Sequence, residues 1–393
     1  ERLNLLYDDS SYNDFFRQYR NRRTMLYVGG NDGMLHAYNG GWYDRANKTF
    51  ISDVTGKADW DLGQEVWAYV PFNLLPHLKY TTNVDYGEKD GDHSYFVDQT
   101  PYIFDAQIFG DDGLTGQPNE NIGGADEVDT HPNGWGTIMV VGFRTGGGTA
   151  EVYPDPSDLT NTQTVRPAFL IFDITNPELE PVLLAEFTHE NLGMSLSTPT
   201  GVTVVQSGAD PSTDWFLMLG SGPSSTPSGN EQVASMQNAH LFLLNLKTMS
   251  LQTGGFGTNG VWDLGATDAA NAFVGDLAAA DWNIDETTDA VYFGTAQGLD
   301  THDSAGNVWP DLNLDGVPDS SDGYFEDWAG KLFRVRVEPS SVATGHTWAI
   351  DVMYDAEQPI IARPGLSFDT NLNRWVNVGT GRYFNAADSV DDT

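Results

Sequence analysis

Short apolar runs, each closed by glycine, recur along the chain: LYVGG at 26–30, TIMVVG at 137–142, WFLMLG at 215–220, AVYFG at 290–294 and WVNVG at 375–379. After most of them comes a second apolar run that usually carries Asp or Asn near its end: GMLHAYN at 33–39, AFLIFDITNP at 168–177 and HLFLLNL at 240–246. GKLFRVRV at 330–337 follows the same order without the acid or amide. A third run follows: EVWAYVP at 65–71, PVLLAEF at 181–187, GVWDLG at 260–265 and HTWAIDV at 346–352. Trp67, Trp262 and Trp348 hold the same place in three of these four. A further run stands ahead of the Gly-ended one: TPYIFDA at 100–106, TPTGVTVV at 198–205, AFVGDLAAA at 272–280 and RPGLSFD at 363–369.

Runs of this length, rich in β-branched and aromatic residues and bounded by Gly, Asp, Asn and Pro, predict strands. Four strands in fixed order, legible about five times, predict an all-β chain of four-stranded antiparallel blades, a β-propeller. A β-sandwich has similar strand patterning, but the regular four-strand order favours the propeller. Glycine at the strand end permits close backbone approach or a positive φ. A recurrent Trp on an outer strand would pack one blade against the next. The stretches 41–60, 80–96, 107–134, 145–165 and 299–323 read as long face loops. Residues 4–23 read as helical or irregular. The expected organisation is a lead-in segment, 1–24, followed by a propeller domain, 25–393. The start and the early stop after GRYF suggest a fragment of a longer protein.

Composition narrows the function. The 393 residues include 19 Lys and Arg against 56 Asp and Glu, a formal charge of −37. Such a surface repels nucleic acid and anionic membranes and attracts divalent cations or basic partners. A high-salt habitat would explain the overall charge equally well, but not local carboxylate clusters. Cysteine is absent, so disulfides, thiolate metal sites and thiol nucleophiles are excluded. No apolar run reaches the roughly 18 residues that span a bilayer.

Two loops carry candidate chemistry. DWNIDETTD at 281–289 places Asp281, Asn283, Asp285 and Asp289 at positions one, three, five and nine, and DLNLDGVPDSSD at 311–322 places Asp311, Asn313, Asp315 and Asp319 likewise. The second loop adds Gly316 at position six and Asp322 at position twelve. Calcium takes six to eight hard oxygen ligands, and alternating side-chain oxygens on a tight loop supply them. Position seven offers a backbone carbonyl, from Thr287 or Val317. Clustered carboxylates repel one another without a cation, so binding and loop folding would be coupled. The first loop lacks Gly at six and has Tyr292 at twelve. The competing reading of each loop is an Asx-rich turn without metal; magnesium suits such flexible, ligand-rich loops less well.

Enzyme signals are weak. GFGTNG at 255–260 matches G-x-G-x-x-G but leads into a strand, not a helix, which rejects a dinucleotide site. There is no G-x-S-x-G, and the eight histidines show no paired metal spacing. No catalytic residue is nominated.

LYVGGNDGMLHAYNG at 26–40 closely resembles a segment of the PilY1/PilC family of type IV pilus proteins. The likeness continues in order through GQEVWAYVPFNLLPHL (63–78), YFVDQTPYIFDA (95–106), GWGTIMVVGFRTGGG (134–148) and PIIARPGLSFDTNLNRWVNVGTGRYF (359–384). The resemblance covers roughly 24–384. It implies a modified seven-bladed propeller and a calcium site mapping onto Asp281, Asn283, Asp285, Thr287 and Asp289. It also implies an extracellular location at the cell surface or pilus tip, and a non-catalytic role in pilus biogenesis, retraction control and surface adhesion. The implied partners are pilus subunits (minor pilins) and an abiotic or host surface. The 299–323 insertion, with its second candidate ion at 311–322, departs from the family pattern. A quinone-dependent dehydrogenase-like propeller and a calcium-stabilised surface scaffold are the alternative functions.

Overall fold

The computed structural model describes residues 10–84, 86–87, 93–110, 130–155, 157–205, 213–224, 235, 237–265, 269–299, 327–338 and 346–381. It forms two compact units, Glu1–Thr188 and His189–Thr393. Among the described residues, no helix is long and apolar enough to cross a membrane.

Among its described residues the first unit holds two sheets and a ribbon. In the first sheet, Thr24–Gly29 pairs antiparallel with Leu35–Asp44, which also pairs with Glu65–Tyr69 and the short Thr49–Ile51. The second runs Val182–Phe187, Phe169–Asp173, Trp135–Gly142, Tyr102–Gln107, the order read from the sequence. Ala150–Val152 and Gln163–Val165 form the ribbon, inside a stretch read as loop. Pattern alone passes over such a ribbon because its strands are three residues long and show no extended alternation. An eleven-residue 3₁₀ helix, Phe72–Thr82, carries no strand or α-helical periodicity either, and contains Pro76.

The core of this unit joins the sheets through their inner side chains. Leu35, Met139, Val141, Leu170 and Phe172 are all buried, with Trp67 packed against them. Trp67 meets Phe172 of the neighbouring sheet at 6.2 Å between ring centroids, the sheet-to-sheet role expected of the recurrent Trp. Gly29 shows why glycine closes the strand: a Cβ there would overlap the carbonyl oxygen of Val97.

The helix Ser10–Tyr19 lies against Trp135, with Tyr12 edge-on to that ring at 4.8 Å. Just after it, Arg23 is fully enclosed. Its guanidinium lies over Trp42 (4.2 Å) and Trp60 (4.5 Å), and it donates to both carboxylate oxygens of Glu178 (2.8 and 3.1 Å) and to Asn39 Oδ1 (3.0 Å). Burial opposes the charge on Glu178, but the bonds from Arg23 and the Ala58 N–H outweigh it and hold the carboxyl below its ordinary value.

The second unit repeats the scheme. Thr200–Val205, Thr213–Gly220, His240–Asn245 and Ser250–Leu251 pair in that order, with Val261–Asp263 also on His240–Asn245. In the next sheet Ala290–Leu299 is central, flanked by Lys331–Glu338 and then Thr347–Asp355. On its other side lies the segment read as one strand, 272–280, which is in fact two: Ala272–Val274 and Ala278–Ala280. Between them, Asp276 and Leu277 turn their N–H groups aside to Ile361 and Thr198, so the ladder breaks. Trp348 is buried between Phe216 and Phe256, edge-on to both. A last pair, Gly365–Phe368 and Arg374–Asn377, ends the described chain.

The architecture is thus all-β, with antiparallel sheets of the four-strand blade type. The loop 311–322 lies outside the described residues.

Candidate functional site

The loop 281–289 connects two paired strands, since Ala280 stands opposite Ala290 and the Asp289 N–H bonds to the Ala280 carbonyl (2.9 Å). Nine residues must therefore leave the sheet and return to nearly the same point. Asp281 organises the return. Its Oδ1 accepts the N–H groups of Ile284 (2.7 Å) and Asp285 (3.2 Å), and its Oδ2 that of Glu286 (2.7 Å). One carboxylate thereby satisfies three successive backbone donors, the reason Asp rather than a longer acid begins such a loop.

The curl needs left-handed backbone at two non-glycine positions, Ile284 (φ 61°) and Glu286 (φ 71°). Glu286 stands at position six, the place that glycine holds in the loop 311–322. The turn forms without it, at a conformational cost for both side chains. Asp285 accepts from the Thr287 hydroxyl (2.6 Å), the Thr287 N–H (3.0 Å) and, through Oδ2, the Asn283 amide (2.9 Å). The Thr287 hydroxyl, with these other donors, holds the Asp285 carboxyl below the usual carboxylate range, so it is ionised at neutral pH. Asp289 Oδ2 accepts the Trp282 N–H at 2.7 Å.

Asp281, Asn283, Asp285 and Asp289 are thus drawn into one short loop, their described bonds running to neighbouring N–H, amide and hydroxyl groups. Among the described residues, no three His, Asp or Glu side chains stand in a metal-coordinating group. The donor chemistry nevertheless fits a hard cation: three carboxylates, one amide oxygen and the Thr287 carbonyl within nine residues, on a backbone already curled. Tyr292, at position twelve, is not part of that set. It is buried, and its hydroxyl is 3.2 Å from the Trp282 indole nitrogen.

Sequence reasoning missed what supports the loop. Thr203, on the neighbouring sheet, donates its hydroxyl to the Glu286 carbonyl (2.8 Å), and its own carbonyl accepts the Thr288 N–H (2.8 Å). Nothing in the sequence marks a threonine so far away. Trp282, inside the loop, reaches the other way. It packs with Tyr292, Leu366 and Val376, stands edge-on to Phe368 at 5.2 Å, and carries the Arg374 guanidinium over its ring. An apolar residue amid acids was the available signal.

Comparison with known proteins gives the setting. No family model matches the chain. A type IV pilus biogenesis factor PilY1 homolog of Xylella fastidiosa (strain Temecula1) is 26% identical over 390 residues, covering 96% of this chain and 19% of the relative. The type IV pilus biogenesis factor PilY1 of Pseudomonas aeruginosa (strain UCBPP-PA14) is 26% identical over 399 residues, covering 97% of this chain and 25% of the relative. The chain therefore spans about a fifth to a quarter of the length of these curated relatives. The crystal structure of the Pseudomonas aeruginosa PilY1 C-terminal domain superposes with a TM-score of 0.52 at 19% identity, over 98% of this chain and 58% of that one. Along nearly its whole length this chain is thus similar in sequence to PilY1-type pilus biogenesis factors, and it shares the fold of the PilY1 C-terminal domain.

Proposed function

We propose that this chain is a non-catalytic, calcium-binding part of a type IV pilus biogenesis factor, working at the pilus tip or cell surface. One observation carries the reading: the relatives named for pilus biogenesis align with 96–97% of the chain rather than with one short motif. Calcium would be held by Asp281, Asn283, Asp285, Asp289 and the carbonyl of Thr287. A second ion would be held by Asp311, Asn313, Asp315, Val317, Asp319 and Asp322. A bound ion supplies positive charge that offsets the clustered carboxylates. The residues around it do the rest: Thr203 fixes the loop to one sheet and Trp282 to another, so the loop presents one conformation to its partner. Those partners would be pilus subunits, with an abiotic or host surface beyond them.

The test is pilus-dependent attachment in cells whose full-length protein carries Asp285→Ala. Attachment should fall several-fold with the protein still exported. Unchanged attachment and piliation would sink the proposal.

A further inference from the structure

We propose that a recess in the second unit, walled by the loop 255–260, binds a neutral saccharide. This loop is the GFGTNG segment, whose glycine spacing matches a nucleotide-binding motif but which leads into the strand Val261–Asp263. The recess measures about 570 Å³, within the size range of small-molecule sites. Its lining includes His240, Trp262, Asp263, Asn259, Asn191 and Glu190.

The wall is built in advance. Gly255, Gly257, Asn259 and Gly260 all have positive φ, between 50° and 82°. Gly257 admits no side chain, because a Cβ would overlap the Val261 carbonyl oxygen. The Gly260 N–H bonds back to Phe256 (3.2 Å), and the Gly260 carbonyl accepts the Leu243 N–H of the sheet (2.9 Å). The glycines thus hold a tight curl against the sheet, and a rigid wall lowers the entropic cost of binding.

The chemistry of the lining selects the ligand class. Among the described residues no Lys or Arg lines the recess, whereas Glu190 and Asp263 do, so a phosphate or other anion is repelled. What remains is a set of hydrogen-bonding groups around one aromatic ring. His240 Nδ1 lies 2.7 Å from the Asn238 carbonyl oxygen, which can only accept, so Nδ1 carries a proton and Nε2 is the ring nitrogen that this bond does not use. Asp263 keeps one oxygen on the Asn238 amide and the Gly265 N–H, both to Oδ1. The Asn259 side-chain amide and the Trp262 indole N–H make no hydrogen bond among the described residues. Trp262 itself is fixed edge-on against buried Phe256, 5.4 Å between centroids. Acceptors, amides and a half-buried indole face suit a sugar, whose hydroxyls both donate and accept and whose C–H face packs on aromatics.

Saturation-transfer NMR on the purified chain, with maltotriose and chitotriose as probes and ADP as the anionic control, tests the assignment. Transfer to at least one trisaccharide is expected. Asn259→Gly, which removes an unbonded exposed amide and keeps the positive φ, should weaken binding at least threefold. Trp262→Ala should abolish it. Should Trp262→Ala fail to fold, Asn259→Gly decides alone. Transfer to neither trisaccharide, transfer that survives the substitutions unchanged, or binding of ADP in place of sugar would overturn the proposal.

Discussion

The loop 281–289 and the hairpin turn 369–373 use the same backbone device for different ends. Each begins with an Asp whose carboxylate collects the N–H groups of the residues that follow, and each has its fourth residue in left-handed backbone, Ile284 at φ 61° and Leu372 at φ 62°. In the hairpin a single carboxylate, Asp369, takes everything. Its Oδ1 accepts the N–H groups of Asn371 (2.8 Å) and Asn373 (2.9 Å), and its Oδ2 the Asn373 amide (2.7 Å) and the Trp375 indole (3.3 Å). The Asn373 side chain first, then these N–H groups, draw its carboxyl down to about 2. The asparagines at positions three and five add no charge, so the turn is complete in itself. In 281–289 the residues at positions five and nine are Asp285 and Asp289, and Glu286 adds a further acid. An Asx-type turn is thus common to both regions, and only the number of charges it gathers distinguishes a structural turn from a candidate calcium loop.

Three experiments break or sharpen this contrast. The largest effect should come from Trp282→Ala, which removes a buried indole from between the loop and the last strand pair. A cost of about 3 kcal/mol to the second unit is expected from cavity formation. Chemical denaturation reads it, and the Asp369→Ala variant, altering an exposed turn, should lose much less. Next, calcium at a hundred times its Kd should raise stability by about 2.7 kcal/mol. Asp285→Ala should lose that increment and Asp369→Ala should keep it, as followed by thermal unfolding with calcium and with chelator. An equal loss in both variants would abolish the distinction between the loops. The smallest effect concerns the shared fourth position. Ile284→Gly should relieve left-handed strain worth about 1 kcal/mol, and Leu372→Gly somewhat less, because Leu is not β-branched. Both should raise the unfolding midpoint in the absence of metal.

Much of the fold was legible because strand patterning is a local property. The Gly-ended runs, the partner runs and the Trp-bearing runs all became paired strands in the order read. The two parts of 272–280 were not separable in advance, since the break depends on where Ile361 and Thr198 stand. The ribbon at 150–165 and the 3₁₀ helix Phe72–Thr82 escaped for want of periodicity. At the candidate site, the spacing of Asp281, Asn283, Asp285 and Asp289 could be read directly, because an Asx turn is made by residues two to five apart. Thr203 could not, standing 83 positions from Glu286 and 85 from Thr288. Nor could the hairpin at Asp369 be set beside the loop from residue types alone, because the likeness lies in φ angles.

The amino-acid sequence by itself determined the all-β class, the strand order, the acidic character and the spacing of carboxylates in the candidate loop 281–289, since each depends on local pattern or on counting charges. Only the tertiary structure decided that Trp282 ties the loop to the last strand pair, that Arg23 is enclosed by Trp42, Trp60 and Glu178, and that GFGTNG walls a recess beside His240 and Trp262. Those arrangements join residues far apart in the chain. Their formation rests on side-chain packing and hydrogen bonds that exist only once the sheets have come together.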